Sequence, residues 1–252
     1  NLLCVVGGSL GGFQVLEWAK QYPSNVKGCI GIATSSRLSP QALAFDVVGR
    51  NAITHDPHFK DGQYYDTNAK PEDGLAIARM LGHITYLSND SMNKKFGENK
   101  LKPREIKTDF EKRFSIGTYL AYQGKKFVER FDANSYITLT TAMDLFSIGE
   151  NKKEIEISLK NTNSDWLFIS FSSDWLYPPS QSKELVEALV SSGKNVSYTN
   201  IPSKAGHDAF LLEDELEDYG NLTSAFLNKL TGDNEKTSSS LEPSQREKTN
   251  IF

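Results

Sequence analysis

Only two cysteines occur in the 252 residues, Cys4 and Cys29, and both sit inside apolar runs. They read as buried thiols, which leaves no disulfide framework and no cysteine-based metal spacing. Basic residues are not in excess: 28 Lys and Arg stand against 32 Asp and Glu, for a net charge of −4 without any basic cluster. Nucleic acid is therefore not an expected partner. No apolar run approaches the roughly 20 residues that a membrane-spanning helix needs. The histidines (His55, His58, His83 and His207) form no H-E-x-x-H pattern, and no metal is expected. There is no internal repeat. A starting methionine is also missing, and the chain opens inside a strand-like run, so it reads as the later part of a longer protein. The lack of a signal peptide then carries no information. What remains is enough for one sizeable α/β domain, or a domain with an insertion.

The opening run Leu2-Leu3-Cys4-Val5-Val6 leads into Gly7-Gly8-Ser9-Leu10-Gly11, which fits G-x-S-x-G. A helix-compatible segment follows, with Phe13, Leu16 and Ala19 on one apolar face. Strand, sharp turn and helix are the setting of a nucleophile elbow. The glycines are expected there because the turn leaves no room for side chains, and because glycine tolerates unusual backbone angles cheaply. The Ser9 hydroxyl would then stand at a helix N-terminus, where backbone N–H groups favour developing negative charge. Taken alone, the motif also fits an ordinary tight turn or a phosphate cradle.

Gly28-Cys29-Ile30-Gly31-Ile32-Ala33 reads as a buried parallel strand. Helical patterns then run over Gln41–His55, Gly74–Ser88, roughly Pro103–Gln123 and Phe127–Phe146, with no strand between them. A helical block between two strands is expected to be a lid over the sheet's active end. The α/β alternation resumes with a strand at Trp166–Phe171, a helix from Pro179 to Ser191, a strand at Val196–Ile201 and a helical pattern over Asp208–Leu230. The expected organisation is an α/β core over 1–35, a helical lid insertion over 36–155, a second core part over 156–231 and a disordered tail over 232–252.

Asp174 follows the strand that ends at Phe171, and His207 follows the next one. Reacting groups in open α/β sheets gather beyond the carboxyl ends of the strands. Ser9, Asp174 and His207 thus form an expected triad in the order Ser, Asp, His. His207 would take the serine proton, and Asp174 would orient and stabilise the imidazolium.

Several stretches together closely resemble the homoserine O-acetyltransferase family, a branch of the α/β-hydrolase fold. They are Gly7-Gly8-Ser9-Leu10-Gly11-Gly12, Val48-Gly49-Arg50-Asn51-Ala52-Ile53, Gly74-Leu75-Ala76-Ile77-Ala78-Arg79-Met80, Gly82-His83-Ile84-Thr85-Tyr86-Leu87-Ser88, Arg130-Phe131-Asp132-Ala133-Asn134-Ser135-Tyr136 and Gly206-His207-Asp208-Ala209-Phe210. The resemblance runs from residue 1 to about residue 230. It implies a partial parallel sheet with a helical lid, and acetyl transfer from acetyl-CoA to L-homoserine through an acyl-serine, as in methionine biosynthesis. Acetyl-CoA would be a cosubstrate, with no bound cofactor. The resemblance assigns Arg79 to the substrate carboxylate, Asp208 to its ammonium and Tyr86 to the same pocket, with the Leu10 N–H as one oxyanion donor. A bidentate guanidinium suits a carboxylate. It further implies a cytoplasmic homodimer joined through the helical lid. A succinyl-CoA-using or serine-using relative stays open, as does an esterase or thioesterase of this fold. Arg50 is read as structural or as a reach toward CoA phosphates, His83 as a core histidine, and Arg130 with Asp132 as an ion pair or network.

The sequence departs from the family at Leu10 and Phe13, where Met is usual, and at Asp46, where Asn is usual. The family's N-terminal portion, with the first strands and the loop carrying the second oxyanion N–H, has no counterpart here. Losing one such donor costs on the order of a hundredfold in rate, and an uncovered apolar edge strand invites aggregation. The chain on its own is therefore expected to be unstable and weakly active or inactive. Purification as a soluble, fully active monomer would overturn that expectation.

Overall fold

The computed structural model describes residues 1–97 and 114–232. Four strands, β1 (Leu2–Gly8), β2 (Val26–Ile32), β3 (Asp165–Phe171) and β4 (Val196–Ile201), form a parallel sheet in the order β1-β2-β3-β4. Parallel neighbours need crossovers. Helix α1 (Leu10–Gln21) joins β1 to β2, and α8 (Pro179–Ser191) joins β3 to β4. Between β2 and β3 lie α2 (Pro40–Thr54), α3 (Glu72–Tyr86), α4 (Asn89–Phe96), α5 (Ser115–Val128), α6 (Ala133–Leu145) and α7 (Lys152–Leu159). After β4 come a 3-10 turn over His207–Leu211 and α9 (Glu213–Thr231).

Alternation along the strands sorts the core into two layers. Cys29, Trp166 and Phe168 point to the side covered by α1, α7 and α8, against Leu16, Ile155, Leu159 and Leu185. Ile30, Leu167, Ile169 and Phe171 point to the other side, against Phe226 and Leu230 of α9. Gly28 permits that second contact, because a Cβ there would lie 2.2 Å from Leu230 Cδ1. At the β1 edge, Leu2, Leu3 and Val6 are exposed.

Helices α2, α3, α5 and α6 share a separate core of Ile53, Leu75, Ala78 and Phe127, closed by Tyr64. Gly74 brings α3 onto α2, since a Cβ would stand 2.4 Å from the Ala52 carbonyl oxygen. Several contacts fasten this helical layer to the sheet, two of them at close quarters. Phe13 of α1 stacks on Phe146 at 4.2 Å between ring centroids. Leu87, just past α3, bridges Gly206 in an antiparallel pair. Gly206 has φ +86°, and a Cβ on it would meet the Ser88 nitrogen at 2.5 Å.

Two expected helices are broken. Phe127–Phe146 divides into α5 and α6 because Asp132 turns out of the helix and accepts from the Ser135 N–H at 2.8 Å as an N-cap. The Asp208–Leu230 pattern divides at Leu212, which is extended, between the 3-10 turn and α9. Residues 103–113 of the expected Pro103–Gln123 helix and 233–252 of the expected tail lie outside the described residues.

Candidate active site

Ser9 sits between β1 and α1 with φ 54° and ψ −122°, a left-handed conformation that costs a non-glycine residue energy. Its N–H donates to the Ile32 carbonyl at 2.9 Å, which ties the strained residue to the neighbouring strand. The unusual angle therefore falls on the serine itself. Gly7, Gly8, Gly11 and Gly12 are absent from the positive-φ glycines. Their use is space, and only at some positions. A Cβ on Gly7 would stand 2.1 Å from the Gly11 carbonyl oxygen, one on Gly8 would enter the Phe210 ring, and one on Gly12 would strike Thr34. A Cβ on Gly11 would meet nothing within 4 Å. This corrects the expectation that crowding and backbone freedom both require the glycines of the turn.

Ser9, Asp174 and His207 come together as one hydrogen-bonded chain. His207 Nε2 lies 2.9 Å from Ser9 Oγ, and His207 Nδ1 lies 2.8 Å from Asp174 Oδ2. Asp174 is 3% exposed and His207 4%. The other Asp174 oxygen accepts from the backbone N–H groups of Leu176 at 3.0 Å and Tyr177 at 2.8 Å, so the carboxylate is held from both sides. The Tyr177 ring stacks on the imidazole at 5.0 Å, and Phe210 meets it edge-on at 5.6 Å. With its proton on Nδ1, facing the carboxylate, the ring presents Nε2 as acceptor for the serine hydroxyl.

This chain opens into a cavity of about 360 Å³, roofed by the helical layer and lined also by Leu10, Arg79, Tyr86 and Asp208. Every residue expected at the site is thus at its wall except Asp174, which is reached through His207. The Arg79 guanidinium lies over the Phe127 ring at 4.8 Å and over Tyr86 at 5.6 Å. Its buried Nε has no hydrogen-bond partner. Burial raises the Asp208 carboxyl above its ordinary range, against the pull of His207 and Arg79. Burial likewise raises the Tyr86 phenol. His83 is buried, within 3.3 Å of the Tyr119 hydroxyl, and burial with Arg79 and Lys95 nearby lowers it to about 4. It is neutral at pH 7 and fits the core reading. Arg130 lies over Phe127 at 5.5 Å, while Asp132 caps α6 and accepts from the Tyr64 hydroxyl at 2.5 Å.

Among the lining residues not foreseen as site residues are Asp46, Tyr136 and Tyr177. Asp46 meets the Asp144 carboxyl, which in turn forms an ion pair with Arg50. Arg50 is thus committed to Asp144. Burial first, and then the neighbouring Asp144, push Asp46 up to about 7. The Asp46–Arg50 spacing on α2 is visible in the sequence as an i, i+4 pair. The carboxyl 94 residues beyond Arg50 is not. Among the described residues, no group of three or more His, Cys, Asp or Glu could hold a metal.

A family model described as alpha/beta hydrolase fold matches residues 2–214. The chain is 56% identical over 218 residues to the bifunctional methionine biosynthesis protein MetXA/MetW of Rhodopirellula baltica, covering 86% of this chain and 35% of that protein. It is 52% identical over 213 residues to the homoserine O-acetyltransferase of Methanohalobium evestigatum, covering 84% and 43%. It is 48% identical over 209 residues to the homoserine O-succinyltransferase of Halothiobacillus neapolitanus, covering 82% and 52%. The chain therefore spans about a third to a half of the length of these relatives. Among solved structures, esterase E22 superposes with a TM-score of 0.80 at 25% identity, over 90% of this chain and 61% of that one.

Two outcomes follow from the geometry. Gly7→Ala should abolish Ser9 reactivity toward an acylating probe, because backbone blocks the new methyl. Gly11→Ala should fold normally, with a thermal midpoint unchanged or slightly raised, because alanine favours the helix. Asp46 supplies a pH test. Its folded value of about 7 is raised above the ordinary 3.8, so its contribution is full below about pH 4 and is lost as pH rises through 7. Asp46→Asn should therefore gain stability over the unsubstituted chain at pH 8, by about 2–4 °C in thermal midpoint. That gain should vanish toward pH 4; a difference independent of pH would contradict it.

Proposed function

The chain belongs to the alpha/beta hydrolase fold family, and from that premise we propose that it transfers an acetyl group from acetyl-CoA to the hydroxyl of L-homoserine through an acyl-serine. One observation carries the reading: the Ser9–His207–Asp174 hydrogen bonds open into the same cavity as a guanidinium, Arg79, and a carboxyl, Asp208. Opposite charges in one small cavity suit the two ends of an amino acid. The curated relatives named for homoserine acylation support the choice of acceptor.

In this reading His207 takes the Ser9 proton as Oγ attacks the thioester carbonyl, and Asp174 stabilises the imidazolium that forms. The Leu10 N–H, at the head of α1, donates to the oxyanion. The thiolate of CoA leaves with the proton from His207, and acetyl-serine remains. Arg79 then holds the homoserine carboxylate, Asp208 receives its ammonium, and Tyr86 packs along the chain between them. His207 removes the proton from the homoserine hydroxyl, which attacks the acetyl carbon, and the Ser9 oxygen departs and regains a proton. Helices α2–α6 act as the lid that keeps water from competing at this step.

The reading extends to a cytoplasmic homodimer joined through the helical layer. Exposed apolar residues on its outer faces, among them Val48, Ile77, Tyr122 and Leu139, support that surface. No helix among the described residues is long and apolar enough to cross a membrane. The resemblance to esterase E22 favours hydrolysis as the second reading, with water in place of homoserine.

An acyl-transfer assay separates the two. Homoserine added to protein and acetyl-CoA should accelerate CoA release and yield O-acetylhomoserine, whereas a hydrolase would be indifferent. Succinyl-CoA and serine serve as competitors in the same assay. Arg79→Ala should raise the homoserine KM by about 10- to 100-fold, the loss expected when a charged hydrogen-bonded pair is broken. It should leave the rate of Ser9 acylation nearly unchanged; equal loss in both half-reactions would contradict the assignment.

A further inference from the structure

The Tyr177 hydroxyl has no part in the mechanism above. The residue is 1% exposed, and the phenol forms part of the cavity wall beside Ser9. Its oxygen makes no hydrogen bond of good geometry in the structure. A buried hydroxyl without a partner is costly, and phenylalanine would pack the same ring without that cost. The ring is firmly held. It lies flat on the imidazole of His207 with an interplanar angle of 24°, and Phe13 meets it at 6.0 Å, edge to face. Its own N–H donates to Asp174 Oδ1 at 2.8 Å, so the loop that carries the acid also aims the phenol. Pro178 and Pro179 follow directly and fix the backbone beyond it.

We propose that Tyr177 is a further catalytic residue, whose hydroxyl donates a hydrogen bond to Ser9 Oγ when that oxygen carries charge. That happens twice: as His207 removes the serine proton before attack, and as the ester C–O bond to Ser9 breaks when the acceptor oxygen bonds to the acyl carbon. In the resting state Ser9 Oγ faces His207 Nε2 at 2.9 Å and is uncharged, and the phenol beside it interacts with it without forming a well-aligned hydrogen bond. Charge on Oγ supplies the draw, since hydrogen bonds to ionised acceptors are stronger than neutral ones. No proton is transferred from the phenol. Burial holds it well above its ordinary range, so it stays a donor throughout.

The proposal rests on Ser9 being the nucleophile but not on the acceptor being homoserine, and p-nitrophenyl acetate is therefore the probe. Tyr177→Phe keeps the ring stack and removes only the hydroxyl. We expect its acylation burst to slow by about 10- to 100-fold, with a thermal midpoint equal to or above that of the unsubstituted chain. A burst rate within twofold would overturn the proposal. As a second variant, 3-fluorotyrosine at position 177 keeps the ring stack and a donor at least as strong, and should restore the burst rate that Tyr177→Phe loses. A fluorinated variant as slow as Tyr177→Phe would also overturn the proposal. If the unsubstituted chain, shown to be folded by circular dichroism, gives neither a burst nor any labelling of Ser9 by an acylating probe, the nucleophile assignment falls and this proposal with it. A burst without acceptance of homoserine removes the acceptor reading alone.

Discussion

The hydrogen bond between His207 Nδ1 and Asp174 Oδ2 is the constraint on which the site depends. Imidazole can carry its proton on either nitrogen, and only one tautomer leaves Nε2 free to accept from Ser9. A carboxylate facing Nδ1 settles the choice, but only if that carboxylate cannot turn away. The backbone N–H groups of Leu176 and Tyr177 prevent turning by holding its other oxygen. The order of the chain is thus set from the β3 loop outward: backbone to carboxylate, carboxylate to imidazole, imidazole to serine. The contacts of Asp174 with His207 Nδ1 and with the Tyr177 N–H are buried, which keeps water from competing for the carboxylate there.

Strain at Ser9 belongs to the same arrangement. A left-handed serine is affordable because the sheet over-determines its position, through the bond to the Ile32 carbonyl and the close approach of Gly7 to Gly11. The backbone angle raises the hydroxyl above the strand end and into reach of a histidine 198 residues away. Relaxing that angle would lower the local energy and remove the hydroxyl from the imidazole.

How much of this could be read beforehand follows from how local each cause is. β3, β4 and α8 were legible because apolar runs and Pro at a helix start act within a few residues. The triad was legible too, because strand ends in a parallel sheet share one rim. Asp132 broke an expected helix because its cap competes with helix continuation, and the periodic apolar pattern runs on unbroken past that break. Asp46 and Tyr177 were invisible as site residues for a different reason. Their meaning comes from partners far away in sequence: Asp144 for one, the imidazole for the other. Gly11 shows the opposite error, a motif letter to which the structure gives no steric duty.

The fastening of Leu87 to Gly206 carries a mechanical consequence. Arg79 and Tyr86 ride on α3, and the strip of chain leaving that helix is clamped to the residue immediately before the imidazole. Glycine makes the clamp tight, since any larger residue would wedge the two backbones apart. The wall that carries the guanidinium and the backbone that carries the proton acceptor are thus joined through a backbone-to-backbone bridge.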